Sequence, residues 1–144
     1  CLGNICRSPL AEGILKDKAQ AAGLDWWVDS AGTGAYHVGE TPDPRSIAVA
    51  RNHGIDILDQ RARQFTTLDL DQFDRIYAMD QSNFHHIKRQ AKTADQLEKV
   101  QLIMNMVHPG ANQDVPDPYW DNNGFEKVYR MLDQACDKII QEFK

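Results

Sequence analysis

The segment CLGNICRSP puts Cys1 six positions before Arg7, with Gly3 and Asn4 between them and a helix start at Ser8-Pro9. Such a stretch suits the wrapping of an anion on a helix N-terminus, where backbone N–H groups point inward and the helix dipole adds positive potential. Gly3 and Asn4 tolerate the positive φ that the wrap needs. Arg7 can hold two oxygens of the anion with its planar fork, which a Lys ammonium does less well. The same field acts on Cys1, because a thiol beside Arg at a helix N-terminus ionises more readily than a free one. A thiolate beneath a tetrahedral anion, with Ser8 able to hydrogen-bond the sulfur, is equipped to attack phosphorus and then to leave it.

Transfer from an aryl oxygen also needs a proton donor. The run DVPDPYW offers Asp117 between Pro116 and Pro118, which stiffen the segment and keep it out of a helix. Tyr119 and Trp120 follow it, and Tyr36 sits in the Gly-rich run SAGTGAYHVGE. Aromatic walls of this kind suit a flat aryl leaving group. Taken singly, Asp117 also reads as a turn aspartate before Pro, and Trp120 reads equally as a core residue.

These groups need elements to carry them. Ser8 to Gly23 reads as a helix capped by Ser8, with Pro9 at its first position and Leu10, Ile14 and Ala21 on one side. Trp26-Trp27-Val28 is a short strand candidate. Asp43-Pro44 opens a second helix that Gly54 stops. Arg75 to Met79 is a strand, and the helix after it takes Ser82 as its cap, with Asp80 read as a further capping group rather than a catalytic one. Val100 to Asn105 is a third apolar run of strand length. Phe125, Val128, Tyr129, Leu132, Ala135, Cys136, Ile139, Ile140 and Phe143 recur at helical spacing and predict an amphipathic helix with one buried stripe, on which Cys136 is a core residue. Strands alternating with helices point to an α/β domain with a parallel sheet, with residues 1–144 forming one domain.

Composition narrows the function classes. The 144 residues carry 16 Lys+Arg against 21 Asp+Glu, a net charge of -5, without a long basic run. Non-specific nucleic-acid binding is therefore not expected, and any anion must be recognised by a local site. No stretch approaches the ~20 apolar residues of a membrane span. Cysteines at 1, 6 and 136 fit neither a disulfide framework nor paired zinc ligands, which favours reduced thiols in a cytoplasmic protein. The adjacent pair His85-His86 does not share a helix face, so no metal site is expected.

Taken in order, CLGNICRSP, DSAGTG, TPDPR, RNHGI, MDQSN and DPYW resemble the low-molecular-weight protein tyrosine phosphatases over essentially the whole chain. The resemblance implies a three-layer α/β/α fold with a four-stranded parallel sheet, its first strand lying ahead of residue 1. It implies a phosphocysteine intermediate on Cys1, with phosphate held by Arg7 and by the loop Leu2, Gly3, Asn4, Ile5, Cys6 and Ser8, and Asp117 as acid and then base. Tyr36, Tyr119 and Trp120 become pocket walls, and Ser30 and His53 match positions that order the loop around Asn4. Cys6 matches a residue able to pair reversibly with the nucleophile on oxidation. The implied partner is a phosphotyrosine protein or a small aryl phosphate, with no cofactor, no nucleic acid and no membrane, on a monomer or weak dimer. Close readings on the same scaffold are a protein-arginine phosphatase, disfavoured by Ile5 where that subgroup has Thr, and arsenate reduction, disfavoured because residues 80–90 hold no cysteine. An amidase using Cys1 as an N-terminal nucleophile would need a larger, strand-rich architecture. A phosphotyrosine-binding module without turnover differs only in activity.

Overall fold

The computed structural model describes residues 2–143. Cys1, the expected nucleophile, lies outside the described residues. Six helices and two strands are defined: α1 (Arg7–Ala21), α2 (Pro44–Asn52), α3 (Asp69–Gln72), β1 (Ile76–Ala78), α4 (Gln81–Gln90), α5 (Ala94–Glu98), β2 (Val100–Leu102) and α6 (Gly124–Glu142), with a 3-10 turn at Ile103–Met106.

β1 and β2 are parallel, with Ile76 opposite Val100 and Ala78 opposite Leu102, and α4 and α5 make the crossover between them. Alternation along β1 splits the core in two. Tyr77 and Met79 pack with Leu10 and Ile14 of α1 and with the α6 stripe, whereas Ile76 and Ala78 pack with Ile87 of α4, Val100 and Leu102. Helices thus cover both faces of the strand pair, an α/β arrangement as expected. The α6 stripe from Phe125 to Ile140 is buried at every expected position except its last, Phe143, which is the C-cap and is partly exposed.

Three local expectations are corrected. Helix α1 starts at Arg7 with Cys6 as N-cap, so Ser8 lies inside the first turn, and Ala19 rather than Ala21 is the buried alanine on its core side. Asp80 caps α4 by accepting from the Asn83 N–H at 2.8 Å, and Ser82 lies within the helix. Its carboxylate accepts more strongly than a hydroxyl, and it stands where the strand ends.

The sheet also differs. Among the described residues it has two strands, and Trp26-Trp27-Val28 pairs with neither. The nearest ladder element is a single parallel bridge between Gly32 and Gln64. A groove of about 390 Å³ runs beside that segment, lined by Trp26, Val28, Phe65, Tyr77, Ile103 and Ile139 among others. The buried Tyr77 hydroxyl has no partner among the described residues. Among the described residues that segment exchanges no ladder bonds with a strand, so its sequence reads as strand and its geometry does not.

Candidate active site

The chain from Leu2 to Cys6 turns into the N-terminus of α1, and Asn4 takes φ +58°, the left-handed conformation that its short amide side chain tolerates. The turn is held by carbonyls directed into the surrounding scaffold. Leu2 C=O accepts from Gly34 N–H and Ile5 C=O from Asp43 N–H, both at 2.8 Å, while the Ser46 hydroxyl donates to Cys6 C=O at 3.2 Å. Gly32 lies so close behind the turn that a Cβ there would stand 2.6 Å from the Leu2 oxygen and 2.9 Å from the Asn4 nitrogen.

The buried Asn4 amide is pinned at both ends. Its Nδ2 donates to Ser30 Oγ at 2.9 Å and its Oδ1 accepts from Arg63 N–H at 3.0 Å. Ser30 in turn donates to Glu12 Oε1 at 2.7 Å, and Lys16 donates to Glu12 Oε2 at 2.6 Å. Because the Ser30 proton is committed to a carboxylate, its lone pair is what faces Asn4, and this fixes which way the Asn4 amide points.

Arg7 is 2% exposed. Its NH1 donates to Asp80 Oδ2 at 2.7 Å and to the Val115 carbonyl at 2.8 Å, which uses both of that nitrogen's protons. The buried Nε has no partner among the described residues, and NH2 lies 4.0 Å from Asp117 Oδ2. One edge of the guanidinium is therefore anchored and the other presents two N–H groups in parallel, the geometry that a phosphoryl dioxygen accepts. Burial pushes the Asp80 carboxyl up, but the Asn83 amide and the Arg7 guanidinium outweigh it and hold the group below the ordinary aspartate range.

Asp117 is 45% exposed on its side chain and accepts from Tyr119 N–H at 3.0 Å. Tyr119 meets Trp120 edge to face at 4.8 Å. Trp120 and Tyr36 are 89% and 78% exposed, and Tyr36 borders Gly34 together with Leu2. Of the expected wall residues Tyr36 and Trp120 are thus surface groups and Tyr119 is half-buried, and the core alternative for Trp120 is excluded.

His53 is placed differently from expectation. The partners of Asn4 are Ser30 and Arg63, whereas His53 hydrogen-bonds Glu126 at 2.9 Å and stacks on Tyr129 at 3.9 Å, beside α6. The RNHGI run put a polar side chain at the end of α2, but that helix ends against α6. Arg63 takes the place expected of His53, through its backbone N–H, which no side-chain motif could reveal. Glu12, Asp80 and Asp43 also belong to the surroundings of the turn, although no motif in the sequence marks them as such. Burial, with Asp43 and Asp117 adding to it, pushes the Cys6 thiol up to about 12, so Cys6 stays protonated at neutral pH. Among the described residues no cluster of three His, Cys, Asp or Glu could hold a metal ion.

A sequence model of the low molecular weight phosphotyrosine protein phosphatases matches residues 1–144. The chain belongs to this family. A low molecular weight phosphotyrosine protein phosphatase of Schizosaccharomyces pombe is 43% identical over 136 residues, covering 92% of this chain and 86% of its own. The crystal structure of a protein tyrosine phosphatase from Entamoeba histolytica superimposes with a TM-score of 0.91 at 34% identity, over 99% of this chain and 92% of that one. The crystal structure of a Drosophila arginine phosphatase does so with a TM-score of 0.91 at 33% identity, over 99% and 94%. As a member of the low molecular weight phosphotyrosine protein phosphatases, the chain is a phosphatase and so a hydrolase.

Two predictions follow from the geometry. Gly32→Ala drives a Cβ against the backbone of the Leu2–Cys6 turn, so, if that turn binds phosphate, inorganic phosphate should inhibit the variant at least about tenfold more weakly, with the melting temperature checked alongside. Because the folded-state pKa of Asp80 is lowered, its pairing with Arg7 stabilises the fold above the unfolded value near 3.9 and is lost as pH falls through the folded one. In urea titrations between about pH 2 and pH 5, Asp80→Asn should flatten the acid loss of stability; an unchanged slope would remove Asp80 from that account.

Proposed function

We propose that the reaction is two-step hydrolysis of an aryl phosphate monoester through a phosphocysteine on Cys1. The observation that carries the reading is the buried Arg7 guanidinium, anchored on one edge by Asp80 and Val115, with no partner for Nε among the described residues and with NH2 4.0 Å from the Asp117 carboxyl. In this reading the Nε and NH2 edge holds two phosphoryl oxygens, and the amides of residues 2–8 hold the third at the α1 N-terminus. The Cys1 sulfur forms a bond to phosphorus as the bond to the tyrosyl oxygen breaks, and Asp117 gives that oxygen its proton. Asp117, now a carboxylate, takes a proton from the water that attacks the phosphocysteine, releasing inorganic phosphate and the Cys1 thiolate. Ser8 stabilises the departing sulfur. Tyr36, Tyr119 and Trp120 flank the ring, and Ser30 orders Asn4. No cofactor or metal takes part.

The substrate is a phosphotyrosine protein or a small aryl phosphate, acted on by one domain spanning residues 1–144, a cytoplasmic monomer or weak dimer. Among the described residues no helix is long and apolar enough to cross a membrane. Cys6, five residues after Cys1, is the thiol placed to resolve an oxidised Cys1: a peroxide oxidises Cys1 to a sulfenic acid and Cys6 condenses with it to a disulfide with loss of water, a step that the raised Cys6 pKa slows because only the thiolate attacks. An arginine-phosphate substrate is the second reading, favoured by the likeness to the Drosophila arginine phosphatase and opposed by the apolar Ile5 on the loop. The finer fold belongs to the same proposal. A four-stranded parallel sheet results if an apolar strand ahead of Cys1 lies in the groove between Trp26–Val28 and the open edge of β1, where the unpaired backbone supports it.

Phosphate release from phosphotyrosine and phosphoarginine peptides tests the chemistry. Phosphotyrosine turnover should exceed the other by at least about tenfold, show a bell-shaped pH profile, survive a chelator and vanish in Cys1→Ser. Preference for phosphoarginine, or activity in Cys1→Ser, would reverse the assignment. Hydrogen exchange tests the strand: with an apolar segment joined ahead of Cys1, amides of residues 26–29 should become protected, and unchanged exchange would count against the four-stranded sheet.

A further inference from the structure

Arg45 is the second residue of α2, and each nitrogen of its guanidinium makes a hydrogen bond, to partners on two sides. Towards the phosphate loop it grips Asp43, with Nε donating to Oδ1 at 3.0 Å and NH2 to Oδ2 at 2.9 Å, while its own backbone N–H donates to Oδ1 at 2.8 Å. Asp43 is buried, and its backbone N–H is the donor that holds the Ile5 carbonyl. Towards the segment that carries Asp117, NH1 donates to Asn122 Oδ1 at 2.6 Å, and the guanidinium carbon lies 5.5 Å from the Tyr119 ring centroid and 4.6 Å from that of Phe125.

Asp117 accepts from Tyr119 N–H, so the place of its carboxyl depends on where Tyr119 sits. Ahead of Asp117 the segment is tied to the site at Val115, which accepts from Arg7 NH1 at 2.8 Å and donates to Met79 C=O at 2.8 Å, and Asp117 Oδ2 lies 4.0 Å from Arg7 NH2; beyond Asp117 it is held by short-range turns, Asp121 N–H to Pro118 C=O and Gly124 N–H to Asp121 C=O. Such turns fix the local shape beyond Asp117 without fixing how far Tyr119 and Asn122 stand from the phosphate loop, and the Val115 anchor reaches only the near side of Asp117. We infer that Arg45 is a positioning residue for the proton donor: by clamping Asp43 on one side and Tyr119 and Asn122 on the other, it sets the spacing between phosphate loop and Asp117. The fork is required, since a Lys ammonium could not grip both carboxylate oxygens, donate to Asn122 and stack on a ring at once. This rests on the reading of Asp117 as the acid.

A misplaced acid has a kinetic signature that a weakened fold or a weakened phosphate site lacks. It penalises poor leaving groups and spares good ones, because only the former need the proton. In Arg45→Met, which keeps the apolar stem, kcat/KM should fall at least about tenfold for phenyl phosphate and at most about threefold for p-nitrophenyl phosphate, with inhibition by inorganic phosphate unchanged. Arg45→Lys should not rescue phenyl phosphate. Equal losses on the two substrates, or a matching loss of inhibition by phosphate, would overturn the inference and leave Arg45 as a helix-capping or phosphate-attracting group. Should Arg45→Met fail to fold, Asn122→Ala keeps the Asp43 grip and should show the same skew, more weakly; a uniform effect there would count against it. Asp117→Asn serves as the reference. If it shows no leaving-group dependence, the acid assignment itself falls; if it does and Arg45→Met does not, only the role of Arg45 falls.

Discussion

A guanidinium removed from water must be paired, and the pairing of Arg7 is the constraint around which this molecule is arranged. Its two anchors come from separate places in the chain: Asp80 at the exit of β1 and the Val115 carbonyl in the segment leading to Asp117. To satisfy one side chain, the α1 N-terminus, the strand end and the 115–118 segment have to converge. Asp80 does a second task at the same point by capping α4, so the carboxylate that orients Arg7 is itself locked by a helix N-terminus. Among the described residues Nε on the other edge of Arg7 has no partner, and an anion of the right shape would pair it.

The turn from Leu2 to Cys6, which the proposal makes the phosphate loop, follows a complementary logic. Its carbonyls at Leu2, Ile5 and Cys6 are each taken by a neighbouring element, and its most strained residue, Asn4, is fixed through Ser30, Glu12 and Lys16 on one side and a backbone amide on the other. Glu12 sits on the same helix whose N-terminus receives the loop, so α1 supplies both the positive end of its dipole and, one turn further on, the carboxylate that orders the turn. A site built this way does not need to reorganise when charge develops on the ligand.

Much of this was legible in the residues. The spacing of Cys1, Gly3, Asn4 and Arg7 announces an anion-binding turn because few residue types tolerate that conformation, and the α6 stripe is plain because its period repeats over nineteen residues. The second helix is legible for a similar reason, since Asp43-Pro44 at one end and Gly54 at the other impose local geometry by themselves. What was not legible depends on contacts between distant segments. Asp80 reads as a cap, and nothing near it in sequence says that Arg7 lies against its other oxygen. Glu12 reads as one more charge on a helix until Ser30 is brought to it. His53 is the converse: its neighbours in sequence resemble the family, yet the end of α2 turns it towards Glu126 and Tyr129. Trp26-Trp27-Val28 reads as strand because composition reports what a segment is fit for, whereas a ladder needs a partner.

The aromatic groups at the mouth of the site, Tyr36 and Trp120, stand almost wholly in solvent, whereas the groups that would handle phosphate are buried and cross-braced. Replacing either ring therefore disturbs almost no packing and leaves no void, while any change at Asn4, Arg7 or Asp80 propagates through the interior. Selectivity and chemistry are in this sense inherited on separate terms. The mouth can drift towards new protein partners under weak constraint, and descendants of this scaffold can diversify in what they recognise long before they could alter what they do.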